Sequence, residues 1–245
     1  MFTFATTKIL NQIHLNDWKN SSNIKKISDL EFLFSFDMYK VSIKLVFNAE
    51  VLIFSLFQWF VLKGLEDKLK SSTLGAPAPD VKVLDILSKK TVSLLSRAKT
   101  GRPLVLNFGS CSWPPFLSVL EDFGRMSSKF SSAVDFVTVY IEEAHPIEQS
   151  NFTGNVEIPK HQNMEQRIAA SQIVENSKSS EDCYSIVVDL MDNQASLAYA
   201  ALPERLYVVL DGEIIYEGAQ GPFGYSLGEV EKCLENVISR ETNKI

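Results

Sequence analysis

Four short runs rich in β-branched and aromatic residues recur along this chain: Pro103–Phe108, Val134–Ile141, Tyr184–Leu190 and Leu206–Leu210. The first two intervals between them carry helical stripes. Pro115–Phe130 sets Phe116, Leu120, Phe123 and Phe130 on one face, and Gln162–Val174 does the same with Met164, Ile168 and Ala169. Asp211-Gly212, between Leu206–Leu210 and Glu213–Tyr216, is a strong two-residue hairpin signal. A shorter β-branched run, Val81–Leu87, comes first, and a last helix is expected over Ser226–Ile238. Strands that alternate with helices and end in a hairpin and a helix permit few architectures. The expected class is α/β, a mixed sheet flanked by helices.

The chain has 245 residues, of which 45% are hydrophobic, enough for one core plus an N-terminal extension. Its net charge is -6 and no Lys/Arg run exceeds a pair (Lys25-Lys26, Lys89-Lys90), which argues against a nucleic-acid partner. Three cysteines, Cys111, Cys183 and Cys233, are too sparse for a secreted disulfide scaffold and fit a reducing compartment. Residues 1–70 are expected to form the extension, residues 71–80 (SSTLGAPAP and an aspartate) a linker, and residues 81–245 the folded domain. Within the extension, residues 41–62 are the most apolar stretch, although Lys44 and Glu50 interrupt it. A bilayer requires about 20 apolar residues, so this is a marginal membrane-anchoring helix, with an interfacial or buried amphipathic helix as the alternative. Lys63, Lys68 and Lys70 follow it, as at a cytoplasmic boundary.

The most informative segment is Asn107-Phe-Gly-Ser-Cys-Ser-Trp-Pro-Pro-Phe116. It leaves a buried strand, turns, and enters a helix through Pro114-Pro115, residues favoured in a first helical turn. An anion just ahead of that turn is stabilised by the positive end of the helix dipole, the device that lowers a thiol pKa in thioredoxin-like proteins. Position 113 is therefore where a thiolate or selenolate belongs, and the Trp113 indole is a donor that does not ionise usefully. Leu202-Pro203 precedes the hairpin, in the place of the thioredoxin cis-proline, so Pro203 is expected to be cis; the alternative is a trans proline opening an edge strand.

Five ordered blocks resemble the iodothyronine deiodinase family: Gly101-Arg-Pro-Leu-Val-Leu-Asn-Phe-Gly-Ser-Cys111, Pro114-Pro-Phe116, Tyr140-Ile-Glu-Glu-Ala-His-Pro146, His161-Gln-Asn163 and Tyr199-Ala-Ala-Leu-Pro-Glu-Arg-Leu-Tyr207. Arg167 fits the same pattern, and Phe60-Val-Leu-Lys63, His161-Gln-Asn163 and Cys183 lean toward the type 1 enzyme. The resemblance runs from about Phe60 to the last helix and implies a thioredoxin-like fold with an N-terminal membrane anchor. It also implies a thyroxine 5'-deiodinase activity, in which a selenocysteine removes iodine from iodothyronines at the expense of a thiol reductant (glutathione or thioredoxin-like). No bound cofactor is implied. A homodimer is, as is residence on the endoplasmic reticulum or plasma membrane with the catalytic domain facing the cytosol.

Trp113 stands where the family has selenocysteine, a residue encoded by UGA, which some genetic codes read as tryptophan. The expectation is that selenocysteine is the physiological residue, because Cys111, Glu143 and His145 remain in place around it. His145 is expected to pass a proton or pair with the nucleophile, and Glu143 to orient the imidazole or relay the proton. His161 resembles a family histidine that contacts substrate, with Ser110 and Tyr140 as hydrogen-bonding neighbours; ordinary packing is the competing account for all three. Cys111 is placed to form a selenenyl-sulfide and Cys183 to act as a second resolving thiol, while Cys233 reads as packing. No Cys/His spacing suggests zinc, and no phosphate loop is present. Two rivals remain: a thiol reductase or peroxidase working through Cys111, and a catalytically dead iodothyronine-binding paralogue in which Trp113 is genuine.

Overall fold

The computed structural model describes residues 70–148 and 156–242, so the expected anchoring stretch 41–62 lies outside the described residues. Among the described residues no helix is long and apolar enough to cross a membrane.

The elements are β1 (Lys82–Asp85), β2 (Thr91–Ser93), β3 (Leu104–Gly109), α1 (Pro114–Phe130), β4 (Asp135–Tyr140), α2 (Met164–Ser177) and β5 (Tyr184–Asp189), then α3 (Gln194–Tyr199), β6 (Arg205–Leu210), β7 (Glu213–Glu217) and α4 (Leu227–Thr242). They form a seven-stranded sheet in the order β2-β1-β5-β4-β3-β6-β7. β3, β4 and β5 run parallel; β6 returns antiparallel on β3, β7 on β6, and β1 on β5. A parallel core continued by an antiparallel hairpin, with helices on both faces, is a thioredoxin-like arrangement, here extended by β1 and β2.

The unbroken apolar runs of the sequence follow from burial on both faces. Val105, Phe136, Tyr140, Ile186 and Leu206 point to the face covered by α1, α2 and α4, where they meet Phe116, Phe123, Val174 and Leu234. Their strand neighbours Leu104, Leu106, Phe108, Val137, Val139 and Tyr207 point to the other face, against Leu94, Ala195 and Tyr199. This is the period-2 alternation of a strand applied to two cores. Each fully buried large apolar side chain contributes roughly 1.5–3 kcal/mol.

The hairpin forms at Asp211-Gly212, with both residues at positive φ (49 and 83), the type I′ geometry that matches strand twist. Two elements exceed the sequence reading: β2 is three residues long, and α3 is a six-residue helix with left-handed residues at both ends, Asn193 and Ala200. Segments this short have too few positions to display a period. Residues 71–80, read as a linker, run beside the hairpin: Ala78 N–H donates to Gly212 O (2.8 Å), Gly75 N–H to Ile214 O (2.8 Å), and the Ser72 and Tyr207 hydroxyls lie 3.0 Å apart.

Candidate active site

The site lies where the parallel strands end at their carboxyl edge, the usual ligand-binding edge of such a sheet. After β3 the chain turns through residues 110–113, closed by Trp113 N–H on Ser110 O (3.2 Å), and enters α1. Trp113 is the N-cap, extended at φ -107 and ψ 99, with Pro114 and Pro115 in the first helical turn. The prolines bring no N–H, so the positive end of the axis acts on residue 113 mainly through its dipole. Gly109 lets α1 approach so closely, because a Cβ there would fall 2.2 Å from the Phe116 ring.

The loop after β4 folds back onto this turn and is fastened by its two serines. Ser110 Oγ accepts from Ala144 N–H (3.2 Å) and Ser112 Oγ from His145 N–H (2.9 Å). Ser112 N–H donates in return to Glu143 Oε2 (2.8 Å), and the Tyr140 hydroxyl donates to Glu143 Oε1. The third group at this carboxylate is His161, whose Nε2 lies 3.3 Å from Oε1. Burial alone would raise the Glu143 carboxyl, but the bonds from His161, Ser112 and Tyr140 outweigh it and hold it below the ordinary value. Glu143 is thus an ionised carboxylate. Burial, with the Glu143 charge next to it, pushes the Tyr140 phenol well up, so Tyr140 stays a donor.

His145 is half-buried with its ring centroid 5.3 Å from that of Trp113, and burial holds its pKa below the usual imidazole value. It is a neutral base at neutral pH. Also beside Trp113 stands Glu204, 1% exposed and next to the cis Leu202-Pro203 peptide. Burial raises its pKa, while the Trp113 indole N–H beside it pulls the other way. Neither the Trp113 Nε1 nor the Glu204 Oε2 closes a hydrogen bond of ordinary geometry. Residue 113 therefore has as neighbours a neutral base and a carboxyl whose pKa burial raises.

Cys111 is fully buried, its N–H on the Tyr140 hydroxyl (3.3 Å) and its thiol 3.8 Å from Ala170 O. Burial pushes that thiol up to about 12, only partly opposed by Tyr140. A thiol protonated at neutral pH is a poor nucleophile, which removes the support for a peroxidase working through Cys111.

The sequence model of the iodothyronine deiodinase family matches residues 39–238 of this chain. The chain belongs to the iodothyronine deiodinase family. It is 40% identical over 175 residues to a thyroxine 5-deiodinase of Gallus gallus, covering 71% of this chain and 67% of that one. It is 41% identical over 172 residues to the type I iodothyronine deiodinase of Xenopus laevis, covering 70% and 65%. The chain thus spans about two thirds of the length of these relatives, and overall identity does not separate the types. Among solved structures it is similar to the thioredoxin domain of a thiol-disulfide oxidoreductase from Bacteroides vulgatus, with 13% identity, a TM-score of 0.42, and 69% of this chain and 98% of that one covered.

Of the residues singled out from the deiodinase resemblance, the fold gathers Ser110, Cys111, Trp113, Tyr140, Glu143, His145 and His161 at one edge, with Pro203 facing them across β3 from the start of β6. It does not bring Cys183 there. Cys183 is exposed and precedes β5, at the amino edge of the parallel strands, a strand's length of about 20 Å from the site. His161 is buried, with Nδ1 accepting from Arg167 Nε (3.4 Å) and Nε2 lying 3.3 Å from Glu143 Oε1 without closing a hydrogen bond of ordinary geometry. Sequence reasoning missed Ser112, Glu204 and the role of Arg167. Glu204 directly follows the proline expected to be cis and lies within the block Tyr199–Tyr207, the two signals that could have found it. Among the described residues no cluster of His, Cys, Asp or Glu gathers to hold a metal.

Proposed function

We propose that this chain is built for reductive deiodination of an iodothyronine, with a selenolate at position 113 as the nucleophile. What carries the reading is the placement of residue 113 at the amino tip of α1 with the His145 ring against it. The selenolate takes iodine from the ring as Se–I, the two electrons of the broken C–I bond stay on carbon, and that carbon accepts a proton. Two equivalents of a thiol then reduce Se–I, giving selenol, iodide, a proton and a disulfide. His145, half-buried against residue 113, is the group placed to take up a proton and, as the imidazolium, pass it to the ring or its keto tautomer. The Glu143 carboxylate, through Ser112 N–H, holds the turn that presents the nucleophile.

Tryptophan at 113 cannot supply the electron pair, so the chain carrying it is expected to release little or no iodide. The test is iodide release from thyroxine in the presence of dithiothreitol, comparing Trp113 with its replacement by selenocysteine and by cysteine. Selenocysteine is expected to restore turnover, and cysteine a smaller fraction of it. Near-family turnover with Trp113 in place overturns the reading. So does a UGG codon at 113 accompanied by thyroxine binding without release from the selenocysteine form, which identifies a binding paralogue. Removal from the outer ring, and membrane attachment through residues 41–62 with the domain toward the cytosol, belong to the same proposal.

A further inference from the structure

We propose that Arg167 is a positioning residue that dictates which nitrogen of His161 carries the proton. Arg167 lies in the first turns of α2 and is 2% exposed. One nitrogen of its guanidinium is anchored on the β5–α3 turn, donating to Asp189 O (3.2 Å), Leu190 O (2.8 Å) and Asn193 Oδ1 (2.8 Å). With that end fixed, Nε–H is left aimed at His161 Nδ1 at 3.4 Å. A guanidinium has donors and no acceptor, so Nδ1 is the accepting, unprotonated nitrogen. The imidazole proton then belongs to Nε2, 3.3 Å from Glu143 Oε1 and off the line of an ideal hydrogen bond. The tautomer follows from the donor inventory of the neighbours and not from any observed hydrogen.

This assignment has a chemical consequence. A histidine whose Nε2 already carries its proton and faces a carboxylate cannot accept another proton there. His161 is a fixed donor that supports the Glu143 charge, and the proton traffic of the site falls to His145. It also links the site to the β5–α3 turn, since the residues that hold Arg167 are those that set the His161 ring. The inference goes beyond the deiodination reading and does not need turnover.

The test uses the full-length chain labelled with ¹⁵N in histidine, whose three residues His14, His145 and His161 are separated by His14→Gln and His145→Gln variants. Long-range ¹H–¹⁵N correlation at mildly alkaline pH is expected to show His161 as the Nε2–H tautomer, with Nδ1 shielded by an incoming hydrogen bond. Arg167→Met is expected to move Nδ1 downfield, toward the shift of an unbonded imine nitrogen. Asn193→Gly, which keeps the left-handed backbone but removes one anchor of the guanidinium, is expected to move it the same way by less. An Nδ1–H or doubly protonated His161 in the unmutated chain overturns the proposal, as does an Nδ1 resonance that neither variant moves. If Arg167→Met fails to fold, the unmutated tautomer and Asn193→Gly decide. Absence of deiodination in every form leaves this result intact and sinks only the functional reading.

Discussion

The Ser112 backbone N–H and the Glu143 carboxylate meet at 2.8 Å in the buried floor of the site, joining the turn after β3 to the loop after β4. A main-chain amide cannot rotate away as a side chain can, so the carboxylate fixes the Cys111–Ser112 peptide, one peptide ahead of the one that leads into residue 113. The dipole of α1 and the neighbouring His145 act on position 113 only while this joint holds.

Glu143→Gln tests the joint. An amide oxygen accepts from some of the three donors, but its NH2 must face another, so about 1–3 kcal/mol of stability is expected to be lost. The folded carboxyl lies below its ordinary value, so its contribution is present above the unfolded pKa and is lost as pH falls through the folded one. Denaturant midpoints against pH are expected to show this acid loss in the unmutated chain and a flatter limb in Glu143→Gln. Coincident acid limbs refute the assignment.

Asp189 has the opposite sign. Its carboxylate accepts from Ala195 N–H (3.0 Å) and Ser196 N–H (2.8 Å), yet burial prevails and raises its pKa from 3.8 to about 6. A raised folded pKa gives a contribution that is complete below the unfolded value and vanishes as pH rises through about 6. Relative to Asp189→Asn, the unmutated chain is therefore expected to gain stability on acidification across that window, by roughly 3 kcal/mol at most. A difference in midpoint that shrinks or stays constant with falling pH contradicts it.

Cys111, with its thiol near 12 and no exposure, is expected to resist iodoacetamide in the native chain at neutral pH. The exposed Cys183 is expected to be alkylated first. Peptide mass spectrometry after brief labelling reads the order directly, and modification of Cys111 ahead of Cys183 revives the peroxidase reading.

In a form carrying selenocysteine at 113, His145 acting as proton donor is expected to give the pH–rate profile an alkaline limb, which burial moves to lower pH and the selenolate beside the ring moves to higher pH. His145→Gln is expected to lose on the order of 10²-fold or more in turnover, the usual scale for a general acid–base group. A pH–rate profile whose alkaline limb survives that substitution assigns the limb to another group.

The sequence alone determined the longer strands and α1, because apolar runs such as Pro103–Phe108 and stripes such as Phe116, Leu120 and Phe123 record burial directly. By contrast, α2 buries Arg167, Ala170, Ser171 and Val174 and not the stripe of Met164, Ile168 and Ala169. It also located position 113, since Pro114-Pro115 marks a helix start wherever the helix finally packs, and the ordered blocks around it carried the family. It could not show that Glu143, His161 and Arg167 form one chain of contacts, because the partners are drawn from three separate elements and meet only when β4, α2 and β5 are docked. Nor could it show which cysteine is buried and which is remote. Cys111 and Cys183 look alike as letters; one precedes a helix at the carboxyl edge and the other a strand at the amino edge, and sheet topology alone sets that separation. Local periodicity is a property of neighbouring residues, whereas protonation and reach depend on what the fold brings alongside.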